Sequence, residues 1–84
     1  MDLDKLFEDA TLKAKELPKQ SNENLLLLYS LYKQSTEGDQ QAEKPSNPFD
    51  IVGNAKYKAW EDLKGTSKDD AKKQYIDLVN KLRN

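Results

Sequence analysis

The three prolines of this 84-residue chain all lie between segments whose apolar residues recur at helical spacing. A proline inside a helix removes a backbone donor and clashes with the preceding turn, so Pro18, Pro45 and Pro48 mark interruptions between helices. No segment shows the alternation of apolar and polar residues that is typical of a strand. The sequence therefore predicts an all-α protein in which four amphipathic helices pack as a small bundle.

The predicted helices cover residues 3–17, residues 21–36, a segment from near Asp50 to before Gly65, and a segment from Ser67 onward. Asp2 and Ser21 are suited to cap the first two helices, because their side chains accept hydrogen bonds from free backbone donors. The apolar residues fall on one side of the first, third and fourth helices, as follows: Leu3, Leu6, Phe7, Ala10, Ala14 and Leu17; Val52, Ala59, Trp60 and Leu63; Ala71, Tyr75, Leu78, Val79 and Leu82.

The connections between the helices differ in length. The short break at residues 18–20 implies antiparallel first and second helices. Residues 37–50 form a long polar connection without periodicity, which has enough length to return along the whole bundle. We therefore expect that the second and third helices can run parallel to each other.

Length and charge limit the kind of protein further. A chain of 84 residues with 36% hydrophobic and 35% charged residues suits a single domain, residues 1–84, with a thin core. The 14 basic and 15 acidic residues are interspersed and give a net charge of −1. A nucleic-acid partner is disfavoured, because binding to phosphate backbones normally requires a basic excess.

The sequence also excludes several sites and locations. It contains neither cysteine nor histidine, so disulfides, thiolate chemistry and an ordinary nucleophile–base pair are excluded, and no cluster has metal-ligand spacing. The N-terminus lacks the features of a signal peptide, and no apolar run approaches membrane-spanning length. We expect a cytoplasmic protein without stable membrane insertion, and a monomer is the simplest expectation.

Two lysines lie in unusual surroundings. Projection of the second helix places Lys33 inside an apolar arc of about 260°, while Ser30 and Gln34 take the polar remainder. Lys56 lies on the apolar side of the third helix, next to Trp60. A cation among apolar residues costs free energy unless an anion meets it, and no acidic residue lies among the flanking apolar positions. An external anion is therefore expected, although a single lysine at such a position more often extends its ammonium group to water.

The tyrosines next to Lys33 favour the same interpretation. Tyr29 and Tyr32 combine a flat apolar ring with a hydroxyl that can donate to phosphate, which suits a nucleotide. Both tyrosines are alternatively explained as core residues. The excess leucine surface, notably Leu26, favours a ligand that also has an apolar portion.

Several motifs resemble those of the acyl-CoA-binding protein family. Residues 29–39, YSLYKQSTEGD, closely resemble the family signature Y-x-x-Y-K-Q-A-T-x-G-D, and residues 55–60, AKYKAW, resemble its A-K-W-x-A-W motif. The step Lys44-Pro45 and residues 63–71, LKGTSKDDA, are also similar to the family's long loop and last helix. The resemblance covers nearly the whole chain, and it implies a four-helix bundle with a long overhand connection between helices 2 and 3.

The resemblance implies reversible binding of long-chain fatty acyl-CoA by an intracellular carrier, without catalysis and without a cofactor. Tyr29, Lys33 and Lys56 would hold the phosphorylated adenosine, with both lysines facing the ribose 3′-phosphate. Val52 and Asn54 occupy positions that are often lysine in the family, so the site has less positive charge than in many relatives.

Five further residues complete the site that the resemblance implies. Tyr32 would pack against the adenine, and Lys15 and Tyr75 would line the site from the first and last helices. Leu25 and Leu26 would contact the acyl chain.

A second function is compatible with the wide apolar arc of the second helix. A helical protein-interaction module could dock a partner helix there, without a small-molecule ligand. That alternative explains the leucines but leaves Lys33 and Lys56 without a role.

Overall fold

The computed structural model describes residues 2–41 and 43–83 and contains four helices within those ranges. Helix α1 spans Leu3–Ala14, α2 spans Asn22–Glu37, α3 spans Ile51–Glu61 and α4 spans Lys68–Arg83. No strand occurs in the described ranges, so the all-α fold class is confirmed. Among the same residues, no helix is both long enough and apolar enough to cross a bilayer.

Side-chain caps fix where the helices begin. The Asp2 carboxylate accepts from the Asp4 N–H at 3.0 Å, and the Ser21 hydroxyl accepts from the Asn24 N–H at 3.1 Å. Asp50 and Ser67 cap α3 and α4 in the same manner, through the N–H groups of Gly53 and Asp70. Each cap satisfies a backbone donor that has no partner within its helix.

Two helices end earlier than the sequence predicts. Helix α1 ends at Ala14, because the N–H groups of Glu16 and Leu17 bond to carbonyls three residues back and tighten the chain before Pro18. Helix α3 ends at Glu61, and similar turns continue to Thr66. Helix α2 ends at Glu37, one residue beyond the predicted end, and Gly38 caps it with a φ of +79° that favours glycine.

Contacts along the helices establish their directions. Lys72 of α4 pairs with Asp4 of α1, and Tyr75, three residues later, contacts Phe7, so α1 and α4 run parallel. Tyr29 of α2 contacts Lys56 of α3. Lys33, four residues after Tyr29, contacts Trp60, four residues after Lys56, so α2 and α3 also run parallel.

The remaining contacts complete the bundle. Helix α4 packs against both α1 and α2, and α3 packs against α2. Tyr32 of α2 contacts Tyr75 while Gln34, further along α2, bonds to Thr66 just before α4, so α2 and α4 are antiparallel. The connection between α2 and α3 therefore returns the chain over the length of the bundle, which confirms the predicted overhand connection.

The core lies where α1, α2 and α4 meet. It is formed by buried residues from these three helices, namely Phe7, Ala10, Leu31, Tyr75 and Val79. Partly buried neighbours extend it through Leu63 to the turns that follow α3. The predicted apolar faces of α1 and α4 are thus confirmed at their central positions.

One prediction about α2 is wrong. The helical projection places Ser30 and Gln34 on its polar side, yet both are buried, together with Leu31 and Ser35, while Leu27 is exposed. The serine hydroxyls are satisfied within the helix, because Ser30 donates to the Leu27 carbonyl and Ser35 donates to the Leu31 carbonyl. Polar side chains that find such partners can be buried without a large desolvation cost.

Gln34 is the centre of a polar junction that joins three parts of the chain. Its amide nitrogen donates to the Thr66 carbonyl at 2.7 Å and to the Asp39 carboxylate at 2.9 Å. Its amide oxygen accepts from the Trp60 indole N–H at 3.0 Å, and that N–H is shared with the Gly38 carbonyl at 2.9 Å. We call these residues, together with Gly65, the Gln34 junction.

Gly65 completes the junction. Its N–H donates to the Asp39 carboxylate at 2.9 Å, and its φ of +92° lies in the region that favours glycine. The end of α2, the last turn of α3 and the connection before α4 are therefore held together by one set of hydrogen bonds.

Replacement of Gln34 by alanine should destabilise the fold. The variant leaves the Thr66 carbonyl without this donor and opens a cavity at a fully buried position, which should cost about 2–4 kcal/mol of unfolding free energy. Urea denaturation measures the loss. Gln74→Ala, at an exposed position on α4, is the matched control and should change stability by less than about 0.5 kcal/mol. Equal effects of the two substitutions would contradict the role given to the junction.

Asp39 should make the fold sensitive to acid. The hydrogen bonds from the Gly65 N–H and the Gln34 amide lower the pKa of its carboxyl below the ordinary value of 3.8. A lowered pKa in the folded state stabilises the protein above pH 3.8, and that contribution is lost as the pH falls through the lowered value.

The measurement is urea denaturation of Asp39→Asn and of the unmodified chain from neutral pH downward. The variant should be less stable at neutral pH, and the difference should shrink below pH 3.8. Asp77→Asn, at an exposed position on α4, should change stability little throughout. A difference for Asp39→Asn that does not depend on pH would refute the prediction.

Candidate functional site

Two lysines and two aromatic rings form a row between α2 and α3. The Lys56 ammonium lies 5.1 Å from the centre of the Tyr29 ring, and the Lys33 ammonium lies 5.4 Å from the centre of a Trp60 ring. We call Tyr29, Lys33, Lys56 and Trp60 the lysine–aromatic row. Because α2 and α3 run parallel, successive turns of the two helices face each other in the same order. Tyr29 therefore meets Lys56, and Lys33, one turn later, meets Trp60. Ring faces attract the ammonium groups and hold both cations along one line.

Lys33 also has an anionic partner in its own helix. Its ammonium donates to the Glu37 carboxylate at 2.6 Å, and the hydrogen bond raises the pKa of Lys33. The hydroxyls of Tyr29 and Tyr32 add smaller contributions in the same direction. Lys33 therefore has an acidic partner within the chain, although no acidic residue lies among the flanking apolar positions. Glu37 lies just outside the apolar arc, and a spacing of four residues on a helix brings the two side chains together.

An apolar cleft of about 400 Å³ continues from the lysine–aromatic row towards the N-terminal ends of α2 and α3. It is lined by Asn22, Leu25, Leu26, Tyr29, Ile51, Val52, Ala55 and Lys56. Four of the predicted site residues thus lie around one cleft. The sequence did not single out Ile51, which is 78% exposed at the start of α3 and has no amphipathic pattern that would identify it.

Two further predicted site residues belong to a cluster of rings where α2 meets α1 and α4. Tyr32 stacks on Phe7 with 5.9 Å between ring centres, and Tyr75 contacts the edge of Phe7 at 5.2 Å. Tyr75 is buried, which raises the pKa of its hydroxyl. Tyr32 remains 44% exposed, so it packs against the core and still offers a surface to a ligand.

Lys15 stands apart from the other predicted site residues. It occupies the exposed cap at the C-terminal end of α1. Within the described ranges, no hydrogen bond, ion pair or ring contact joins it to Tyr29, Lys33 or Lys56. The eight predicted residues therefore form a row with its cleft, a ring cluster and one separate lysine.

The long connection lies against the outer side of α3. Lys44, Pro45 and Pro48 line an open groove together with Tyr57 and Lys58. Tyr57, at the position where the A-K-W-x-A-W motif has its first tryptophan, lines this groove. At the end of the connection, Phe49 is 87% exposed.

The arrangement suits a ligand with two chemically different parts. Ammonium groups held over aromatic rings can bind phosphate and leave the ring edges and hydroxyls available to a nucleoside. The adjoining cleft offers leucine, isoleucine and valine side chains to an apolar segment. Burial of that segment and neutralisation of the anion would occur in one binding event.

The chain is similar to members of one protein family over most of its length. The family model described as acyl CoA binding protein matches residues 4–79. An acyl-CoA-binding protein of Saccharomyces cerevisiae is 50% identical over 78 residues, which cover 92% of this chain and 88% of that protein. The acyl-CoA-binding protein homolog 1 of Caenorhabditis elegans is 48% identical over 77 residues, covering 90% of this chain and 88% of that protein.

Solved structures have the same fold. The crystal structure of Oryza sativa acyl-CoA-binding protein 2 is similar with a TM-score of 0.91 and 41% identity, covering 96% of this chain and 90% of that one. The corresponding protein of Moniliophthora perniciosa gives a TM-score of 0.87 and 30% identity, covering 98% of this chain and 80% of that one.

Proposed function

The chain belongs to the acyl-CoA-binding protein family, and on this premise we propose that it binds long-chain fatty acyl-CoA thioesters reversibly as an intracellular carrier. In this role the protein is a cytoplasmic monomer with a single domain at residues 1–84. Its role is binding without catalysis, and it requires no cofactor.

The observation that supports this function best is the continuity between the lysine–aromatic row and the apolar cleft. Tyr29 and Lys56 belong to both. A ligand that places a phosphate at Lys56 therefore has an apolar surface directly beside it. Acyl-CoA has a phosphorylated nucleotide at one end and a hydrocarbon chain at the other, joined by the pantetheine arm and the thioester.

We assign the head group to the row and its neighbours. Lys33 and Lys56 would face the ribose 3′-phosphate, and Tyr29 would contribute its ring and hydroxyl. Tyr32 would pack against the adenine with Tyr75 behind it. Their ring contacts support this placement, since Tyr75 is buried where it supports the exposed Tyr32.

Lys15, Leu25 and Leu26 complete the proposed site. Leu25 and Leu26 would contact the acyl chain in the cleft, together with Ile51 and Val52, which also line it. Lys15 would approach the head group from α1. Since it lies at an exposed helix end, we expect it to contribute less than the lysines that are held over rings.

The energetics favour an amphipathic ligand over either part alone. Burial of a methylene group contributes about 0.8 kcal/mol, so roughly ten methylenes contribute about 8 kcal/mol before the cost of ordering the ligand. The charged contacts add specificity, because a free fatty acid has no phosphate to offer the lysines. The alternative of a protein-interaction module is not favoured by the family to which the chain belongs.

Titration calorimetry tests the proposed function directly. Palmitoyl-CoA should bind at micromolar or lower concentration and raise the melting temperature, because a ligand that binds only the folded state stabilises it. Palmitate and CoA should each bind far more weakly, since each offers only one of the two parts. No heat and no rise in melting temperature with palmitoyl-CoA would reject the proposal.

Replacement of the two lysines tests the assigned roles. Lys33→Ala and Lys56→Ala should each weaken palmitoyl-CoA binding by about 1.5–3 kcal/mol, the range for a hydrogen bond to a charged group. That range corresponds to a Kd roughly 10- to 100-fold higher, and calorimetry measures it.

Lys58→Ala is the matched control. Lys58 is also on α3, but its side chain is 77% exposed and pairs with Asp62 outside the lysine–aromatic row. It should bind palmitoyl-CoA as the unmodified chain does, and all three variants should remain folded by circular dichroism. Unchanged affinity of Lys33→Ala would show that this lysine does not contact the phosphate of the ligand.

A further inference from the structure

Glu37 occupies a position that helix energetics disfavour. It is the last residue of α2, where the helix dipole repels a negative charge, and no basic residue lies in that last turn. Glutamate there does not stabilise the end of the helix. Residues that break a local rule in this manner are often found at functional sites.

The ion pair between Lys33 and Glu37 also contributes little to folding. The two side chains are 31% and 53% exposed, and exposed pairs of this kind contribute little to stability. The order, with lysine before glutamate by four residues, is the weaker of the two orders on a helix. The carboxylate is nevertheless hydrogen-bonded at 2.6 Å to Lys33, a member of the lysine–aromatic row.

We propose that Glu37 competes with the ligand phosphate for Lys33 and thereby limits the affinity for acyl-CoA. This inference rests on the proposed function. Glu37 lies one turn beyond Lys33, on the side away from Tyr29 and Lys56. A phosphate that approaches from the cleft must either displace the carboxylate from the ammonium or bind next to another negative charge, and both cost free energy.

The chain offers a matched comparison within its own structure. Lys58 and Asp62 form a second lysine–carboxylate pair with the same spacing of four residues, at 3.4 Å, near the end of α3. Both of its members are more exposed than those of the Lys33 pair, and neither belongs to the row or to the cleft. Removal of the carboxylate from each pair therefore separates an effect at the ligand from a general effect of charge.

The experiment compares Glu37→Gln, Asp62→Asn and the unmodified chain with palmitoyl-CoA and with palmitoyl-3′-dephospho-CoA. Glu37→Gln should bind palmitoyl-CoA about 2- to 10-fold more tightly at low ionic strength, and the gain should shrink as salt screens the charges. Its affinity for the dephospho ligand should stay close to that of the unmodified chain. Asp62→Asn should bind both ligands as the unmodified chain does.

The free Glu37→Gln protein should melt at the same temperature as the unmodified chain or slightly above it. This readout separates a change at the ligand from a change in the fold. If Glu37→Gln binds palmitoyl-CoA with equal or weaker affinity, the inference is overturned while the proposed function stands. An equal gain for both ligands, or an equal gain in Asp62→Asn, also overturns it.

Absence of palmitoyl-CoA binding in all three proteins would instead overturn the proposed function. The two failures are thus distinguished by the behaviour of the unmodified chain.

Discussion

The buried amide of Gln34 is the interaction on which the arrangement of α2, α3 and α4 depends. A primary amide can donate and accept at once, and in this protein it does both without exposure to water. It therefore joins groups that need opposite partners, the Trp60 indole N–H and the Thr66 carbonyl. The parallel alignment that puts each lysine of the row over a ring follows from this connection, because Trp60 is both a member of the row and a partner of Gln34.

The sequence predicts the helices of this protein well because their signals are local. Asp2, Ser21 and Ser67 cap the helices at the expected places, and Gly38 ends α2. Such signals act within one turn and require no knowledge of distant residues. The early end of α1 was not predicted, since the choice between a helical turn and a tighter one before Pro18 depends on weak preferences.

The burial of Gln34 could not be predicted, because it depends on contacts that are distant in the sequence. Its three partners, Asp39, Trp60 and Thr66, lie up to 32 positions away along the chain, and a helical projection contains no information about them. The candidate site falls between these cases. Its row could be anticipated, because helical periodicity aligns Tyr29 with Lys33 and Lys56 with Trp60, whereas the pairing of these residues across α2 and α3 required the fold.

The two ends of the α2–α3 pair differ in the contacts that hold them. Near Trp60, side-chain hydrogen bonds tie both helices to their neighbours. Near Leu25 and Ile51, the described residues contribute no hydrogen bond between the helices, and the residues that line the cleft there are mostly apolar. Directional bonding needs fixed geometry, whereas apolar contact tolerates small displacements. This difference favours a fixed geometry around Trp60 and small displacements of the side chains that line the cleft.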